Sequence, residues 1–569
     1  MDRSKEADPA VFSQDGSDDV DHQSISKTAQ RGVQKMEATT TVWSKKMLIS
    51  AYAMMWCIYF INTMQQGMTN QLTPYVTSSF QQHSLTATTS VMSSLIGGLI
   101  KLPLAKVLDI WGRPHGYAFC VVVLTVGLIM MAACKNVETY AAAQVFYWVG
   151  YNGLDYTMSI FIADTSALKN RALMFAFASS PYIITTWLGG PIAESVLAGP
   201  GYTWGFGIFA IVTPIITMPL FGVFMHNYYK AKKQGLVVKE KSGRTTWESI
   251  KYYFVQFDVI GLVLVIAGFA LFLLPFNIYQ KQAEGWKSPM IIAMIVIGGL
   301  LLIAFALWER FFAPVKFLPW ELLTDRTVLG ACVLAAVLFV SFYIWDSYFS
   351  SFLQVVNNLD ITPSSYILNI YSIGSCFWSI IVGVLVRWSG RFKWLALYFG
   401  VPLTILGVGL MIQFRQPDVN IGYIIMCQIF IAFAGGTLVI CEQMAVMAAV
   451  EHQYVAVVIA MEGMFSSVGG AIGSTVAAAV WQGVFPVKLM EYLPEESQGN
   501  FTEIYGDLVT QKSYPVGSAT RDAIERAYGD AQKNMLIVAT AVLVLAIGAT
   551  AVWRDIKVKE FKQTKGNVV

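Results

Sequence analysis

Charged side chains are scarce in this chain of 569 residues, because Asp, Glu, Lys and Arg together make up only 13%. A soluble domain carries roughly 25% charged residues, so this chain lacks the polar groups that would cover a water-exposed surface. The formal net charge is only +3, and the basic residues are spread over many short segments. This distribution excludes a basic groove for nucleic acid.

The chain also lacks the spacing patterns of metal sites, disulfide frameworks and common enzymes. It has seven cysteines but no CxxC pair, and its five histidines never pair at metal-ligand spacing. The cysteines all lie in or beside apolar runs, where they act as small buried hydrophobic residues. No Walker loop, HExxH motif or nucleophile elbow occurs, so we expect neither an enzyme nor a bound metal or cofactor.

Long apolar runs dominate what is present, with 55% hydrophobic residues and a mean hydropathy of +0.54. A helix that crosses the ~30 Å hydrocarbon core of a membrane needs ~20 apolar residues. Fourteen such segments fit between residues 47 and 553. The predicted fold class is therefore an all-α membrane protein with about 14 transmembrane helices.

Lys and Arg concentrate in alternate connections, and cytoplasmic loops are the ones that carry this excess. The pattern predicts that both termini are cytosolic and that the long connection 485–533 is extracellular. That loop holds the only N-x-[ST] sequon, Asn500-Phe501-Thr502, so Asn500 is a candidate glycosylation site.

Two loops then reveal an internal repeat. Ala105-Lys106-Val107-Leu108-Asp109-Ile110-Trp111-Gly112-Arg113 resembles the G-x-x-x-D-x-x-G-R loop of the major facilitator superfamily, with Ala105 in place of the first glycine. Eight segments later, Gly383-Val384-Leu385-Val386-Arg387-Trp388-Ser389-Gly390-Arg391 repeats the spacing, with Arg387 in place of the acid. The resemblance implies an inner gate that contains Asp109, Gly112, Arg113, Arg387 and Arg391.

Eight segments between the copies, rather than six, imply a major facilitator fold of two six-helix bundles plus two extra helices. The predicted organisation is a disordered cytosolic tail (1–46), an N-terminal bundle (47–225), a basic cytosolic loop (226–256), two additional helices (257–325), a C-terminal bundle (326–553) that includes the extracellular loop 485–533, and a cytosolic tail (554–569).

Further stretches resemble fungal siderophore-iron transporters of this superfamily. They are Phe161 to Arg171 (FIADTSALKNR), Leu318 to Val328 (LPWELLTDRTV), Tyr348 to Val356 (YFSSFLQVV), and the outer-loop sequences Ile504-Tyr505-Gly506-Asp507 and Arg521-Asp522-Ala523-Ile524. The resemblance implies proton-coupled uptake of ferric siderophores by a monomer in the plasma membrane, with iron carried only as the chelate. An endosomal or vacuolar membrane is the alternative location.

Other functions remain open at this point. Members of the family take up ferrichromes, ferrioxamines, fusarinines and sometimes haem, and related carriers exchange glutathione. The alternatives are therefore a proton-coupled drug, haem or glutathione carrier, or a non-transporting nutrient receptor.

Polar side chains inside apolar segments mark the predicted substrate or proton pathway, because they are unfavourable in a bilayer unless they serve a function. Asn152, Asp155, Tyr156 and Ser159 follow the i, i+3, i+4, i+7 spacing of one helix face. Glu442 and Glu462 are two further buried carboxyls, suited to carrying protons or to pairing with a neighbouring helix, and Lys101 is one possible counter-ion. The remaining pathway candidates, at the outer ends of segments, are Asp346, Tyr348, Asn62 and Gln66.

The outer loop supplies the last group of candidates. The spacing of Ala523, Ile524, Ala527 and Tyr528 predicts a short amphipathic helix between residues 520 and 533. Tyr505, Tyr514 and Arg521 then offer aromatic faces and a cation beside the outer mouth, where they suit the capture of an amide-rich chelate. Disorder is the alternative for this loop.

Overall fold

The computed structural model describes residues 31–79, 98–236, 245–279, 282, 284–315 and 320–560. Most of these residues are helical. Those before residue 240 form nine helices: α1 (Arg31–Val42), α2 (Lys45–Ser79), α3 (Lys101–Ile110), α4 (Arg113–Ala133), α5 (Val137–Thr165), α6 (Leu168–Ser179), α7 (Tyr182–Thr185), α8 (Gly189–Ala198) and α9 (Tyr202–Lys233).

The remaining described residues form sixteen α-helices and short 3₁₀ or π turns between some of them. The α-helices are α10 (Thr246–Gln256), α11 (Val259–Leu273), α12 (Pro275–Ile278), α13 (Pro289–Leu307), α14 (Trp320–Thr324), α15 (Arg326–Asp346), α16 (Phe349–Val355), α17 (Ile361–Ser389), α18 (Lys393–Leu395), α19 (Val401–Phe414), α20 (Ile421–Ala448), α21 (Val455–Tyr492), α22 (Glu495–Gln498), α23 (Phe501–Gly506), α24 (Leu508–Ser513) and α25 (Ala519–Ala551).

Within the described residues, ten helices are long and apolar enough to cross a membrane, and two bent helix pairs raise the number to twelve. These pairs are Leu168–Thr185 with Gly189–Ala198, bent by 43°, and Thr246–Gln256 with Val259–Leu273, bent by 46°. Helix α5 is also long enough, at 29 residues, and α3 is the described part of the second predicted span. The all-α membrane fold with about 14 spans is confirmed.

The helices pack as two bundles with a separate pair beside them. In the first half α4 lies against α5 and α9, and in the second half α15 lies against α21 and α25. Helices α11 and α13 pack mainly on each other, as expected for the two additional helices. The halves meet where α6 contacts α17 and where α3 contacts α21. We call the end that holds the α3–α4 connection the gate end, and the end that holds residues 493–518 the loop end.

The prediction of a disordered tail over 1–46 is wrong for residues 31–42, which form helix α1 and pack on α3 and α9. Met36, Val42 and the adjoining Trp43 are buried. These few apolar residues form no continuous run in the sequence. Their helical spacing is therefore the only sequence feature that indicates a packed helix here. Residues 1–30, 87–97 and 561–569 and part of the basic 226–256 loop lie outside the described residues.

The outer connection also differs from the expectation. Helix α21 continues to Tyr492, three short helices follow, and α25 begins at Ala519, so the predicted amphipathic helix is the first part of the last span. Ile504, Ala523, Ile524, Ala527 and Tyr528 are buried. The apolar face of this segment therefore packs against the protein, and disorder is wrong for this loop.

Small residues allow a close helix contact in the second half. A Cβ atom added to Gly469 of α21 would lie 2.8 Å from Cα of Ala336 on α15, and one added to Gly473 would lie 3.0 Å from Cα of Val340. Close approach of this kind lets membrane helices gain packing energy that the lipid does not supply.

We expect Gly469→Ala to destabilise the fold by about 1–3 kcal/mol, because the new methyl group overpacks the α15–α21 contact. Gly483→Ala on the same helix is the matched control, since its Cβ would meet nothing within 4 Å. Thermal unfolding of the purified protein measures both. Equal stability of the two variants would contradict the close approach of these helices.

Candidate substrate cavity and gate

A cavity of about 200 Å³ lies between the two halves. Helices α2, α5, α6 and α7 contribute one wall, and α17 and α20 contribute the other. Its lining is mainly hydroxyl groups, aromatic rings and small residues, with one carboxyl group: Tyr59, Asp155, Ser159, Phe175, Ala178, Ser179, Tyr182, Tyr371, Ser375, Cys376, Ser379, Gly435, Gly436, Val439, Ile440 and Gln443. A site shared by both halves can change shape when the halves move.

The predicted polar face of α5 divides into two parts. Asp155 and Ser159 line the cavity, whereas the Asn152 amide donates to the Trp148 carbonyl of its own helix at 3.0 Å. The Tyr156 hydroxyl donates to the Ala456 carbonyl of α21 at 2.6 Å. Tyr156 therefore ties the two halves together instead of facing the cavity.

A cluster of hydroxyl groups extends the cavity wall within the first half. The Tyr151 hydroxyl lies 3.1 Å from Gln66 Oε1 and 3.0 Å from the Tyr182 hydroxyl. Gln66 therefore belongs to the polar network beside the cavity, while Asn62 is buried and does not line it. Sequence reasoning missed Tyr59, Tyr182 and Tyr371; the one signal for such residues is tyrosine at helical spacing inside a span.

Glu442 and Glu462 lie behind the cavity wall, within the second half. Glu442 is fully buried, and neither of its carboxyl oxygens has a hydrogen-bond partner in the described part of the chain. Glu462 is 8% exposed, and the Ser466 hydroxyl lies 3.4 Å from its Oε1. Lys101 of the first half packs over the neighbouring Gly463, where an added Cβ would lie 3.3 Å from Nζ.

Four ionisable side chains form a cluster at the gate end. Arg113 Nε donates to Asp164 Oδ2 at 2.8 Å, and Arg113 Nη1 donates to Asp109 Oδ1 at 2.9 Å. The other Asp164 oxygen lies 3.2 Å from Nε2 of His452, which belongs to the second half. Gly112, directly before α4, has a φ of +104°, a backbone conformation that suits glycine. The cluster joins the halves and closes this end.

Asp164 and His452 are gate residues that sequence reasoning missed. Asp164 was noted only within the stretch Phe161 to Arg171, and a lone histidine in a loop gives no signal of its partner. The burial of Arg113 and Asp109 explains why a further carboxyl is needed, because a buried guanidinium must be fully paired.

The second copy of the loop motif does not join this cluster, so its predicted place in the gate is wrong. Arg391 pairs with Asp555 at 2.9 Å, and both side chains are about half exposed. Arg387 is exposed, and Lys559 donates to the Trp388 carbonyl at 2.6 Å. With an arginine at the acid position, the charged end of this copy contacts the C-terminal segment, while its first residue, Gly383, packs against Leu173 of α6 in the first half.

Asp346 and Tyr348 lie where α15 ends, and neither lines the central cavity. Tyr348 stacks on Trp481, with ring centroids 4.2 Å apart. Nearby, the fully buried Arg415 donates from Nη1 to the Trp345 carbonyl at 2.7 Å, and its guanidinium lies 4.0 Å from the Phe349 ring centroid. This end is therefore packed around aromatic rings.

The structure contradicts the predicted role of Arg521 as a cation presented to substrate. Its side chain is fully buried, donating to the carbonyls of Val355 at 2.5 Å and Gln511 at 2.9 Å, and it pairs with Glu525 at 3.0 Å. Helix α25 begins at Ala519, and this start places Arg521 on the face of the helix that packs against the rest of the protein.

The two loop tyrosines are partly buried. Tyr505 stacks on Phe501 with ring centroids 6.2 Å apart, and the Tyr514 hydroxyl lies 3.4 Å from the Asn500 amide nitrogen. The ring of Tyr505 and the hydroxyl group of Tyr514 are thus engaged with the loop itself. Asn500, at the start of α23, is exposed.

Among the described residues, no group of three or more His, Cys, Asp or Glu side chains is placed to hold a metal ion. The cavity and its surroundings therefore offer donors and acceptors for a ligand but no cluster of that kind.

Comparison with known proteins agrees with this architecture. The family described as Major Facilitator Superfamily matches residues 55–317. The chain is 70% identical to "MFS siderochrome iron transporter 1" of Ajellomyces capsulatus, over 96% of this chain and 93% of that protein. It is 46% identical to "Siderochrome iron transporter 2" of Aspergillus fumigatus, over 96% and 90%.

The chain belongs to the fungal siderophore-iron transporter family of the Major Facilitator Superfamily. The human organic anion transporter MFSD10 has a similar fold, with a TM-score of 0.51 at 11% identity, over 87% of this chain and 98% of that one. Members of this family are transporters and not enzymes, in agreement with the sequence.

We expect Arg521→Ala to destabilise the transporter by about 3 kcal/mol, because it leaves buried carbonyl groups without a donor. Arg526→Ala, an exposed arginine on the same helix, is the control. Thermal unfolding and limited proteolysis of residues 493–518 measure the difference. A stable Arg521→Ala variant whose only defect is a raised KM for substrate would contradict this structural role.

A second expectation concerns the gate. Asp164→Asn should weaken the closed gate by about 2 kcal/mol, since it removes the charge that pairs with Arg113. The buried Ala456 lies at this end, so alkylation of Ala456→Cys, followed at that site by mass spectrometry, should become faster. Asp555→Asn is the control, because it removes only the exposed pair with Arg391. Unchanged alkylation in Asp164→Asn would show that the cluster does not hold the gate.

Proposed function

We propose that this transporter imports ferric siderophore chelates by proton symport, with the cavity opening alternately to either side of the membrane. The observation that carries the proposal is the cavity that both halves line, closed at one end by the Asp109–Arg113–Asp164–His452 cluster. The curated relatives named above are siderochrome iron transporters.

The chemistry of the cavity suits such a cargo. Hydroxamate siderophores surround ferric iron with oxygen atoms, so the iron needs no ligand from the protein. Tyr59, Tyr182, Tyr371 and the serines of the lining can donate hydrogen bonds to the outer oxygens of the chelate. Among the described residues, Asp155 is the one carboxyl group of the lining, which makes it the candidate for a proton that travels with the cargo.

The size of the cavity supports alternating access. Sites for drug-sized ligands typically measure about 300–1,000 Å³, whereas the space between the halves is about 200 Å³. A ferric chelate therefore requires the halves to separate. The charged cluster and the Tyr156 hydrogen bond hold the two halves together at the gate end. The halves therefore separate first at the loop end, and the chelate enters there.

We further propose that the gate end faces the cytosol, that both termini lie there and that the membrane is the plasma membrane. Basic residues at the gate end support this orientation, because cytoplasmic connections carry the excess of Lys and Arg. Examples are Lys169, Lys230, Lys233, Arg391 and Lys393. Asn500 at the loop end would then be open to glycosylation.

Epitope tags test this orientation. Tags at residue 20 and after Val569 should be reached by antibody only in permeabilised cells, and a tag near Gly499 should be reached in intact cells. Asn500→Gln should remove a glycosidase-sensitive shift in mobility if the sequon is used. Labelling of the tag near Gly499 only after permeabilisation would contradict the orientation.

Uptake measurements test the function. A fungal host that lacks siderophore uptake should accumulate radioactive iron from at least one of ferrichrome, ferrioxamine B and triacetylfusarinine C when it produces this transporter. Uptake should increase as the medium is acidified, because protons enter with the chelate. Uptake of haem or glutathione without any of the chelates would favour the other carriers, and binding without accumulation would favour a receptor.

In the same host, Asp155→Asn should reduce uptake about tenfold or more or abolish its pH dependence, while surface abundance stays unchanged, because the amide cannot carry a proton. Glu194→Gln, an exposed carboxyl of the same half, should behave like the unmodified transporter. If Asp155→Asn takes up the chelate with an unchanged pH profile, Asp155 has no part in proton coupling.

A further inference from the structure

The interior between the halves holds more acids than bases. Glu442 of α20 and Glu462 of α21 are buried, and Asp155 of α5 lines the cavity. Lys101 of α3 is the one cation whose charge acts on both Asp155 and Glu462 in the described part of the chain. Unpaired charge is strongly unfavourable in such surroundings, so a single ammonium group can compensate only one carboxylate at a time.

Lys101 lies between its two possible partners. It belongs to the first half, but its side chain rests on the second half at Gly463, where an added Cβ would lie 3.0 Å from Cδ and 3.3 Å from Nζ. The absence of a Cβ at Gly463 thus lets the ammonium group reach the helix that carries Glu462.

Within the described residues, Nζ of Lys101 makes no ion pair of 4.0 Å or less with either acid. Its positive charge nevertheless acts on both Asp155 and Glu462. Lys101 can therefore form an ion pair with either acid after a small movement.

The other titratable groups near this cluster are uncharged when protonated and come from the surrounding helices. They are Tyr59, Tyr151 and Tyr182 of the first half and Cys332, Tyr371 and Cys441 of the second half. None of them supplies a second positive charge, so Lys101 decides which carboxyl can be ionised.

Movement of the halves changes which partner Lys101 can keep. Helices α3 and α5 belong to the same half, so Lys101 stays near Asp155 in every position of the halves. The α3–α21 contact instead spans the interface, and it parts when the gate end opens. Opening therefore removes the positive charge from Glu462 and leaves it with Asp155.

We propose that Lys101 couples the proton to the opening of the gate end by exchanging its partner from Glu462 to Asp155. This inference rests on the proposed proton symport. While the gate end is closed, Glu462 is the carboxylate beside Lys101 and Asp155 takes up a proton with the chelate. That proton then moves from the Asp155 carboxyl group to the Glu462 carboxylate, which leaves Asp155 as the anion paired with Lys101.

The cycle closes without any further reactant. Once the gate end is open, Glu462 releases the proton into the water that enters the opening, and the resulting carboxylate recovers Lys101 as this end closes and the loop end opens. Asp155, then an anion without a cation, takes up the next proton from the loop end. One proton is taken up on one side and one is released on the other. Glu442, which has no cation of its own in this cluster, keeps its proton throughout.

Reconstituted liposomes test the exchange of partners with radioactive ferrichrome, ferrioxamine B and triacetylfusarinine C. The unmodified transporter should concentrate its substrate about tenfold for each unit of pH difference, as one proton per chelate requires. Lys101→Gln should let the chelate equilibrate, with normal counterflow between equal pH values, but should not concentrate it. Lys101→Arg, which keeps the charge, should retain at least part of the accumulation.

The double variant with Lys101→Gln and Glu462→Gln is the control for misfolding. It removes the cation together with one acid, so no buried carboxylate loses its partner. It should be monodisperse and show counterflow without accumulation. Accumulation by Lys101→Gln equal to that of the unmodified transporter would overturn the inference while leaving proton symport intact. Equal loss in Lys101→Arg and Lys101→Gln would also overturn it, because charge would not be the cause. Failure of the unmodified transporter to concentrate any chelate would overturn proton symport and this inference with it.

Discussion

The compensation of buried charge is the constraint on which the rest of this structure depends. A carboxylate or guanidinium inside a helical bundle surrounded by lipid is tolerated only beside an opposite charge or a set of hydrogen-bond donors and acceptors. Arg113 meets this condition with two aspartates. Arg415 meets it only in part, through one hydrogen bond to the Trp345 carbonyl, the Phe349 ring and the charge of Asp346, while its Nε and Nη2 have no hydrogen-bond partner among the described residues. Some buried charged groups have partners in both halves. For those groups, separation of the halves changes which charges are compensated.

The two halves use this constraint differently, although they carry copies of one loop motif. In the first half the motif supplies Asp109 and Arg113, and Asp164 extends the pair towards His452 of the second half. In the second half an arginine stands at the acid position, and the motif contacts the C-terminal segment through Arg391 and Asp555. The gate is therefore held by one copy, and the other holds the end of the last span in place.

Features with a regular pattern could be predicted from the sequence, and features made by distant partners could not. Apolar runs gave the spans, and the spacing of Asp155 and Ser159 placed both on the cavity side of α5. The contact of Asp164 with His452 joins residues 288 positions apart, and no local pattern encodes it.

The two main errors have a shared cause. Arg521 and the segment 31–42 are polar in the sequence, which predicted an exposed cation and a disordered tail. Both are buried against the bundles, because apolar residues at helical spacing pack one face of each helix inward together with its polar side chains. The Arg521 guanidinium is stabilised there by hydrogen bonds to backbone carbonyl groups. Amino-acid composition does not show which backbone carbonyl groups will lie within hydrogen-bond distance of a buried arginine.

The most direct test of the account is the distance across the gate end during transport. Spin labels at Lys169→Cys and Trp388→Cys occupy exposed positions on the two halves and can be measured by pulsed electron resonance in liposomes. The account predicts one short distance without substrate and a second, longer distance when ferric siderophore and acid are supplied together. A single unchanged distance under all conditions, in a preparation that transports the chelate, would contradict it.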